Sequence, residues 1–409
     1  MRKMVALLLA IVMLSTLVGG VSFAEETIDM WVQIDWLECA TVEAEKFMAE
    51  NPGVKINIME AGDDYHTKIM LSVSSGEFPD IFSIDSPEVP MALDYIAPLS
   101  DEAVAYYKEK LTPGALELGL INGTYYALPL QIPTYPIWVA NQAIFDELGL
   151  EIPTTLDEML EVAPKLQVRN EDGTVARYPY YIQSAPGQWS GWFNWHYLLM
   201  ANGGANIVSE DRQTVMLDTP ETRHVLEVFQ TLAQNEYVLV DGSNEPTCTD
   251  YLAEGLVAMG EEGCWMGDAL FAEERFEPKV VAPTVVTKEG DKPLVQASGW
   301  VLCLNKNASE NARKFWEGLL TAEFDQNKEA SGPLYQENRD GNEMYNDPFW
   351  KDYFSYAEYA QAYPNLKFGM SLQVILGDMF EQVFFGADID TAIQDASNQI
   401  TEVLIKENQ

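Results

Sequence analysis

From about residue 26 the chain shows a two-residue hydrophobic period. Ile28, Met30 and Val32 are apolar at every second position, which predicts a strand with one buried face. Ala40, Ala44, Phe47 and Met48 then recur at helical spacing, and Asn51-Pro52-Gly53 stops that helix. Val54, Ile56 and Ile58 restart the two-residue period. A helix carrying Ile69, Met70 and Val73 follows, ending at Ser74-Ser75-Gly76, and Ile81-Phe82-Ser83-Ile84 predicts the third strand. A β-α-β-α-β run of this kind implies a parallel sheet with right-handed crossovers. Pro129 to Pro136 is Pro-rich and predicts an extended connection, because a residue preceding proline is held out of the helical region. Thr155-Leu156-Asp157-Glu158 is a capping box that opens a further helix. Downstream, Val295 to Leu304 predicts a strand, Ala312 to Leu320 a helix, and Phe368 to Leu404 a mostly helical end. There is no internal repeat and no low-complexity tract.

This topology locates a site before any chemistry is considered. Open α/β sheets bind ligands outside the carboxyl ends of their strands. Just past the three predicted strands stand Gln33, Asp35, Trp36 and Glu38, then Asp63 and Asp64, then Asp85 and Ser86. One aromatic ring and several carboxylates at one edge suit a neutral polyhydroxylated ligand, whose C–H faces stack on rings and whose hydroxyls donate to carboxylates.

Length and charge narrow the function classes. With 409 residues the chain accommodates two domains of about 100–200 residues each. Its 64 acidic residues against 24 basic ones give a net charge of −40, which repels phosphate backbones and anionic lipid. Nucleic acid and membrane surfaces are therefore excluded as partners, and an anionic ligand is disfavoured. At the N-terminus, Arg2 and Lys3 precede the apolar run Met4 to Leu14, then Ser15-Thr16 and a small-residue stretch ending Val21-Ser22-Phe23-Ala24. Residues 1–24 thus have the order of a secretory signal peptide, with an apolar core too short for a membrane span. No cysteine precedes Cys39, so a lipobox cysteine is not expected, and the mature protein is expected to be exported, periplasmic or extracellular.

Cys39, Cys248, Cys264 and Cys303 are too few for a disulfide scaffold and form no CxxC pair; a Cys248–Cys264 bridge is compatible with their spacing. His66, His196 and His224 stand apart, with no HExxH, nucleophile motif or phosphate-binding GxxxxGK[ST]. Among 64 acidic residues a glycosidase-like carboxylate pair arises by coincidence, so acid pairs carry no weight. The expectation is a protein without catalytic residues, metal or cofactor.

Several segments carry a family resemblance. They are Phe47-Met48-Ala49-Glu50-Asn51-Pro52-Gly53-Val54-Lys55-Ile56, Ser75-Gly76-Glu77-Phe78-Pro79-Asp80-Ile81 and Asn122-Gly123-Thr124-Tyr125-Tyr126-Ala127-Leu128-Pro129. Asn202-Gly203-Gly204, Gly255-Leu256-Val257-Ala258-Met259 through Gly263-Cys264-Trp265, and Ser298-Gly299-Trp300 continue the series. In this order and spacing the chain resembles the extracellular solute-binding proteins of family 1, the group containing maltose-binding protein. The resemblance implies an α/β, two-lobe periplasmic-binding-protein fold, each lobe a mostly parallel sheet flanked by helices, with a hinge between. It places hinge crossings near residues 131–136, 293–297 and 333–337, lobe one at 25–131 plus 297–334, and lobe two at 136–294 plus 338–409. It implies an extracytoplasmic, monomeric component of an ABC importer that binds a carbohydrate, in particular an oligosaccharide, and delivers it to the permease subunits of the membrane. Two other readings stay open: a cationic small molecule such as a polyamine, held by acidic strand ends and aromatic cages, and a secreted glycoside hydrolase.

The candidate ligand residues are Trp36, Glu38, Asp63, Asp64, Asp85, Tyr135, Trp189, Trp192, Trp265, Asp268 and Trp300. Trp265 stands where the resembled family often places a sugar-stacking ring, and Trp300 lies beside the second crossing. Each has a structural alternative. Glu38, Asp63 and Asp64 suit helix N-caps; Trp36 suits a core. Trp189, Trp192 and Trp195 form a stripe that more often packs inside, so Trp189 is expected to face the cleft and Trp195 the core.

Overall fold

The computed structural model describes residues 26–60, 65–112, 114–132, 136–184, 188–240, 248–263, 280–281, 283–328, 332–342, 347–356, 359–362 and 367–407. Strands β1 (Glu26–Val32), β2 (Val54–Glu60) and β3 (Ile81–Asp85) run parallel in the order β2-β1-β3, with Met30 opposite Ile58 on one side and Ile81 on the other. The two-residue period lands where the sequence puts it, since Ile28, Met30 and Val32 are all buried. Helices Leu37–Glu50 and Tyr65–Ser75 make the crossovers. Each is followed by a left-handed glycine, Gly53 at φ 102° and Gly76 at φ 74°, a conformation that costs glycine nothing.

Short strands β4 (Ile96–Ala97), β5 (Leu120–Ile121), β6 (Thr124–Tyr125) and β7 (Ala127–Pro129) follow, β5 and β6 pairing as a hairpin. The chain then builds a second sheet from β8 (Ile137–Asn141), β9 (Val168–Arg169), β10 (Val175–Tyr181), β11 (Val238–Leu239), β12 (Val257–Glu262) and β13 (Val280–Val281). Its order is β11-β10-β12-β8-β13, with β9 beside β10. Last come β14 (Val295–Ala297), β15 (Trp300–Asn305) and β16 (Ala360–Ala362); β15 returns to the first sheet and β14 pairs with β16.

The two sheets share a plan. Each has three parallel strands in the order second, first, third, and an antiparallel strand beside the third, β15 in one and β8 in the other. Those antiparallel strands are the ones that arrive from the other sheet. Each sheet is therefore parallel in its core and mixed at the side where the chain enters. This is the two-lobe α/β arrangement.

The expected strand Val295 to Leu304 is broken in two. Gly299 N–H donates to Asp85 Oδ1 and Ser86 Oγ, both at 3.2 Å, and its carbonyl accepts from Ser86 N at 2.9 Å. These bonds draw Ser298-Gly299 off the ladder. A Cβ on Gly299 would lie 2.8 Å from Leu118 Cδ1, so a larger residue there requires that side chain to shift.

Helices Gln188–Ala201, Pro220–Gln234, Gly369–Phe384 and Ile389–Glu407 pack together on the second sheet, with Phe229 stacked on Phe384 at 5.6 Å and 11°. Gly191 faces the carbonyl of Gln373, and a Cβ there would lie 1.9 Å from that oxygen, so the first and third of these helices meet backbone to backbone. The capping box at Thr155 forms: Thr155 Oγ1 accepts from Glu158 N at 3.0 Å, and Glu158 Oε2 accepts from Thr155 N at 3.2 Å. Among the described residues no helix is long and apolar enough to cross a membrane.

Cys248 is a free, buried thiol; Cys264 lies outside the described residues. The segment expected as the third crossing is hydrogen-bonded to the first sheet's body. Thr112 N donates to Leu334 O at 2.7 Å and Tyr335 OH to Leu320 O at 2.7 Å. Helix Gln336–Asp340 is bound to helix Ala322–Asn327 through Asn338 Nδ2, which donates to Ala322 O at 2.9 Å. Helix Pro348–Ser355 follows, in contact with β13.

Candidate functional site

The crossings locate the cleft. Going out, the chain enters the second sheet at Ile137, opposite Glu262, the last residue of β12. Coming back, it enters the first at Trp300, opposite Asp85, the last residue of β3. Both connections thus run between the carboxyl ends of the parallel strands, where a ligand is expected in such sheets.

On the first lobe this edge carries an aromatic stack. Trp300 is half-buried, its ring centroid 5.5 Å from Tyr65 and 6.0 Å from Trp36. Tyr65 and Trp36 are both buried beneath it, and the Tyr65 hydroxyl donates to the Ser83 carbonyl of β3. Trp36 therefore departs from its expected role: at 0% exposure it offers no face to a ligand and instead supports Trp300. Glu38 is exposed in the first turn of helix Leu37–Glu50, where its charge complements the positive helix end.

Asp85 is at the edge, but its carboxylate serves the fold. It caps the short turn Ser86–Glu88, accepting from the Glu88 backbone while its own N–H donates to Glu88 Oε2 at 2.9 Å, and it accepts from Gly299. Bonds from backbone donors hold the end of β3 to the start of β15 and so fix the backbone that carries Trp300.

Trp192 also departs from expectation. Helix Gln188–Ala201 has no polar face, and residues 190–200 are buried throughout. Trp192 is 4% exposed, and its Nε1–H donates to Ser298 Oγ at 2.9 Å, joining this helix to the linker at the second crossing. Trp195 is buried, as the stripe suggested. Trp189 lies in the same helix, its side chain outside the described part; Asp63, Asp64, Tyr135, Trp265 and Asp268 lie outside the described residues.

The second lobe's edge brings residues that the sequence reading did not single out. Tyr181 OH donates to Gln183 Oε1 at 2.8 Å, and Glu262 Oε2 accepts from Thr249 N at 3.3 Å. Tyr65 on the first lobe was likewise not singled out. The available signal was position: Glu262-Gly263 ends a strand as Asp85-Ser86 does.

One strand position back, Glu261 turns into the lobe core and accepts from the Tyr197 hydroxyl. Burial pushes its carboxyl up to about 8. The neighbouring ring of His196, also buried, is pushed down to about 3 and is neutral. Among the described residues no cluster of His, Cys, Asp and Glu is arranged to hold a metal.

Comparison with known proteins agrees with this architecture. The chain is 24% identical over 291 residues to an uncharacterized ABC transporter extracellular-binding protein of Pyrococcus horikoshii, a match spanning 68% of this chain and 63% of that protein. Among solved structures, an ABC substrate-binding protein from Listeria monocytogenes in complex with cycloalternan superposes with a TM-score of 0.74 at 16% identity, covering 93% of this chain and 99% of the other. A solute-binding protein from Thermotoga lettingae bound with alpha-D-tagatose gives 0.74 at 20% identity, covering 93% and 100%. One from Agrobacterium radiobacter in complex with ribitol gives 0.72 at 19%, covering 93% and 99%. Residues 40–325 match the family of bacterial extracellular solute-binding proteins, and the chain belongs to that family.

Proposed function

We propose that this protein is the extracytoplasmic solute-binding component of an ABC importer, holding a carbohydrate between two closing lobes and delivering it to permease subunits in the membrane. The observation that carries the reading is the half-buried Trp300 at the carboxyl edge of the first sheet, supported from behind by Trp36 and Tyr65. A half-buried ring held in place by two buried aromatic neighbours suits the weakly apolar face of a sugar. The structural neighbours bear on the ligand class, because cycloalternan, tagatose and ribitol are all polyhydroxylated. Hydrogen bonds to charged acceptors contribute about 1.5–3 kcal/mol each, so a few beside one stacking ring reach micromolar affinity, about −8 kcal/mol.

In this reading an oligosaccharide is the preferred cargo, and the protein acts as a monomer without catalysis. The first lobe takes residues 25–131 and 297–340, the second the remainder after residue 136, and residues 1–24 direct export to the periplasm or the cell exterior. Trp265 and Asp268 remain proposed ligand residues beside Trp300. The ligand touches both lobes only when they are closed, so it shifts the population toward closure.

The experiment is a thermal-shift screen of the mature protein against mono- and oligosaccharides, polyamines and amino acids. A ligand at about 100 times its dissociation constant adds about 2.7 kcal/mol. A raised melting temperature with sugars supports the reading. A shift confined to polyamines refutes it in favour of a cationic cargo.

A further inference from the structure

Under the linker lies an ion pair that the binding site does not use. Asp325 and Lys328, at the end of helix Ala322–Asn327, are 3.0 Å apart with side chains 0% and 2% exposed. Lys328 Nζ also donates to Leu130 O at 3.3 Å, where the chain leaves the first sheet after β7. Leu130 N in turn donates to Trp300 O at 2.8 Å, on the returning segment. Asp325 accepts from Leu334 N at 2.7 Å, Tyr335 N at 2.9 Å and Asn338 Nδ2 at 2.9 Å, on the segment that leads to the last departure. All three connections between the lobes are thus tied, directly or through one hydrogen bond, to a single buried pair.

Such a pair need not add stability. Desolvating two charges costs several kcal/mol, and a well-packed apolar replacement is often as stable. A buried pair of this kind can instead define geometry, because its hydrogen bonds are directional and few other arrangements satisfy them. Here the geometry defined is where each linker segment is fixed and where it is free.

We propose that Asp325 and Lys328 are positioning residues that form the pivot of lobe closure, clamping the three linker segments to the first lobe so that rotation falls on the residues beyond them. This rests on the two-lobe closure of the proposed function, but it does not depend on which solute is bound.

The test is a measurement of interlobe distances by pulsed dipolar spectroscopy on the full mature chain without ligand. Spin-labelled non-natural residues replace the exposed Glu45 of the first lobe and Gln399 of the second. The expected result is a distance distribution for Lys328→Met about twice as wide as for the parent, since one linker segment has lost its clamp. Lys328→Arg, which keeps both the pairing and the donor, restores the parent width. Asn338→Ala, a milder change in a partly buried contact, widens the distribution to a lesser degree and carries the test if Lys328→Met does not fold. A lowered melting temperature with unchanged distributions in these variants would mean a purely structural pair and overturn the pivot. A single narrow distance in the parent, unaltered by any sugar of the screen, would overturn lobe closure and the pivot with it.

Discussion

Two buried groups in the second lobe set a pH profile that can be worked out in advance. Glu261 ends near the Tyr197 hydroxyl in the lobe core, and burial raises its carboxyl from 4.5 to about 8. The folded state therefore holds a proton that the unfolded chain releases above pH 4.5, and the stability tied to that proton is lost as pH rises from 4.5 towards 8. His196 behaves in the opposite sense: its ordinary value of 6.5 falls to about 3, so stability is lost as pH falls from 6.5 towards 3. Each slope is about 1.4 kcal/mol per pH unit, and over the common window from 4.5 to 6.5 the two cancel. The pair thus contributes a plateau between pH 4.5 and 6.5, and each limb beyond it falls until its own group has titrated. Over its full range Glu261 contributes a loss of about 5 kcal/mol, an order-of-magnitude figure from its shift. The other perturbed groups near it, Tyr197 and Cys248, are raised by burial and titrate above this window. The assay is urea unfolding of the parent and Glu261→Gln across pH 4 to 9, compared as a difference because the net charge of −40 gives both proteins the same background. The variant is expected to gain on the parent steadily as pH rises through the Glu261 range. Parallel curves from pH 4.5 to 8 would show that Glu261 ionises freely and that its burial has no energetic consequence.

Three further outcomes follow from the packing. Trp300→Ala should weaken sugar binding about tenfold in calorimetry while Trp300→Phe retains most of it, since a stacked ring contributes about 0.5–1.5 kcal/mol beyond its buried area; equal affinities would remove Trp300 from the site. Asp85→Asn keeps an oxygen for the Gly299 and Glu88 donors. It should change affinity by less than about threefold and leave its salt dependence unaltered; a large loss that grows at low salt would point to a cationic ligand on Asp85. Gly191→Ala puts a methyl group against the Gln373 carbonyl at 1.9 Å and should lower stability by about 1–3 kcal/mol or more in urea unfolding. An unchanged midpoint would contradict the close approach of those helices.

How much of this was legible in the sequence depended on the range over which each feature is determined. Strands β1 to β3 and their crossover helices are specified locally, by alternation at Ile28, Met30 and Val32 and by Gly53 and Gly76 at the helix stops. The capping box at Thr155 is likewise contained in four residues and forms as read. The break between β14 and β15 is not local. It comes from Asp85 and Ser86, more than 200 residues earlier, whose side chains accept from Gly299. The bonds around the expected third crossing are equally non-local, because Leu334 and Tyr335 are held by Asp325, which no period or turn signal connects to them.

Strand-end geometry placed Trp36 and Asp85 at one edge and the resemblance placed Trp300 beside the second crossing; the fold brings these three together, but not in the roles expected. Which of them faces outward is decided by what lies behind each ring. Trp36 and Trp300 are the same residue type on adjacent elements, yet one is the floor and the other the surface. The tryptophan stripe shows the same limit. Rings at helical spacing have one composition whether they stack on a ligand or fill a core, and only the 2.9 Å bond from Trp192 to Ser298 reveals that this ring joins the helix to the linker. Carboxylates carry a similar ambiguity, since a strand-end Asp meets backbone donors and ligand donors with the same chemistry. At Asp85 the backbone donors of Glu88 and Gly299 occupy it, and these bonds fix the backbone that carries Trp300.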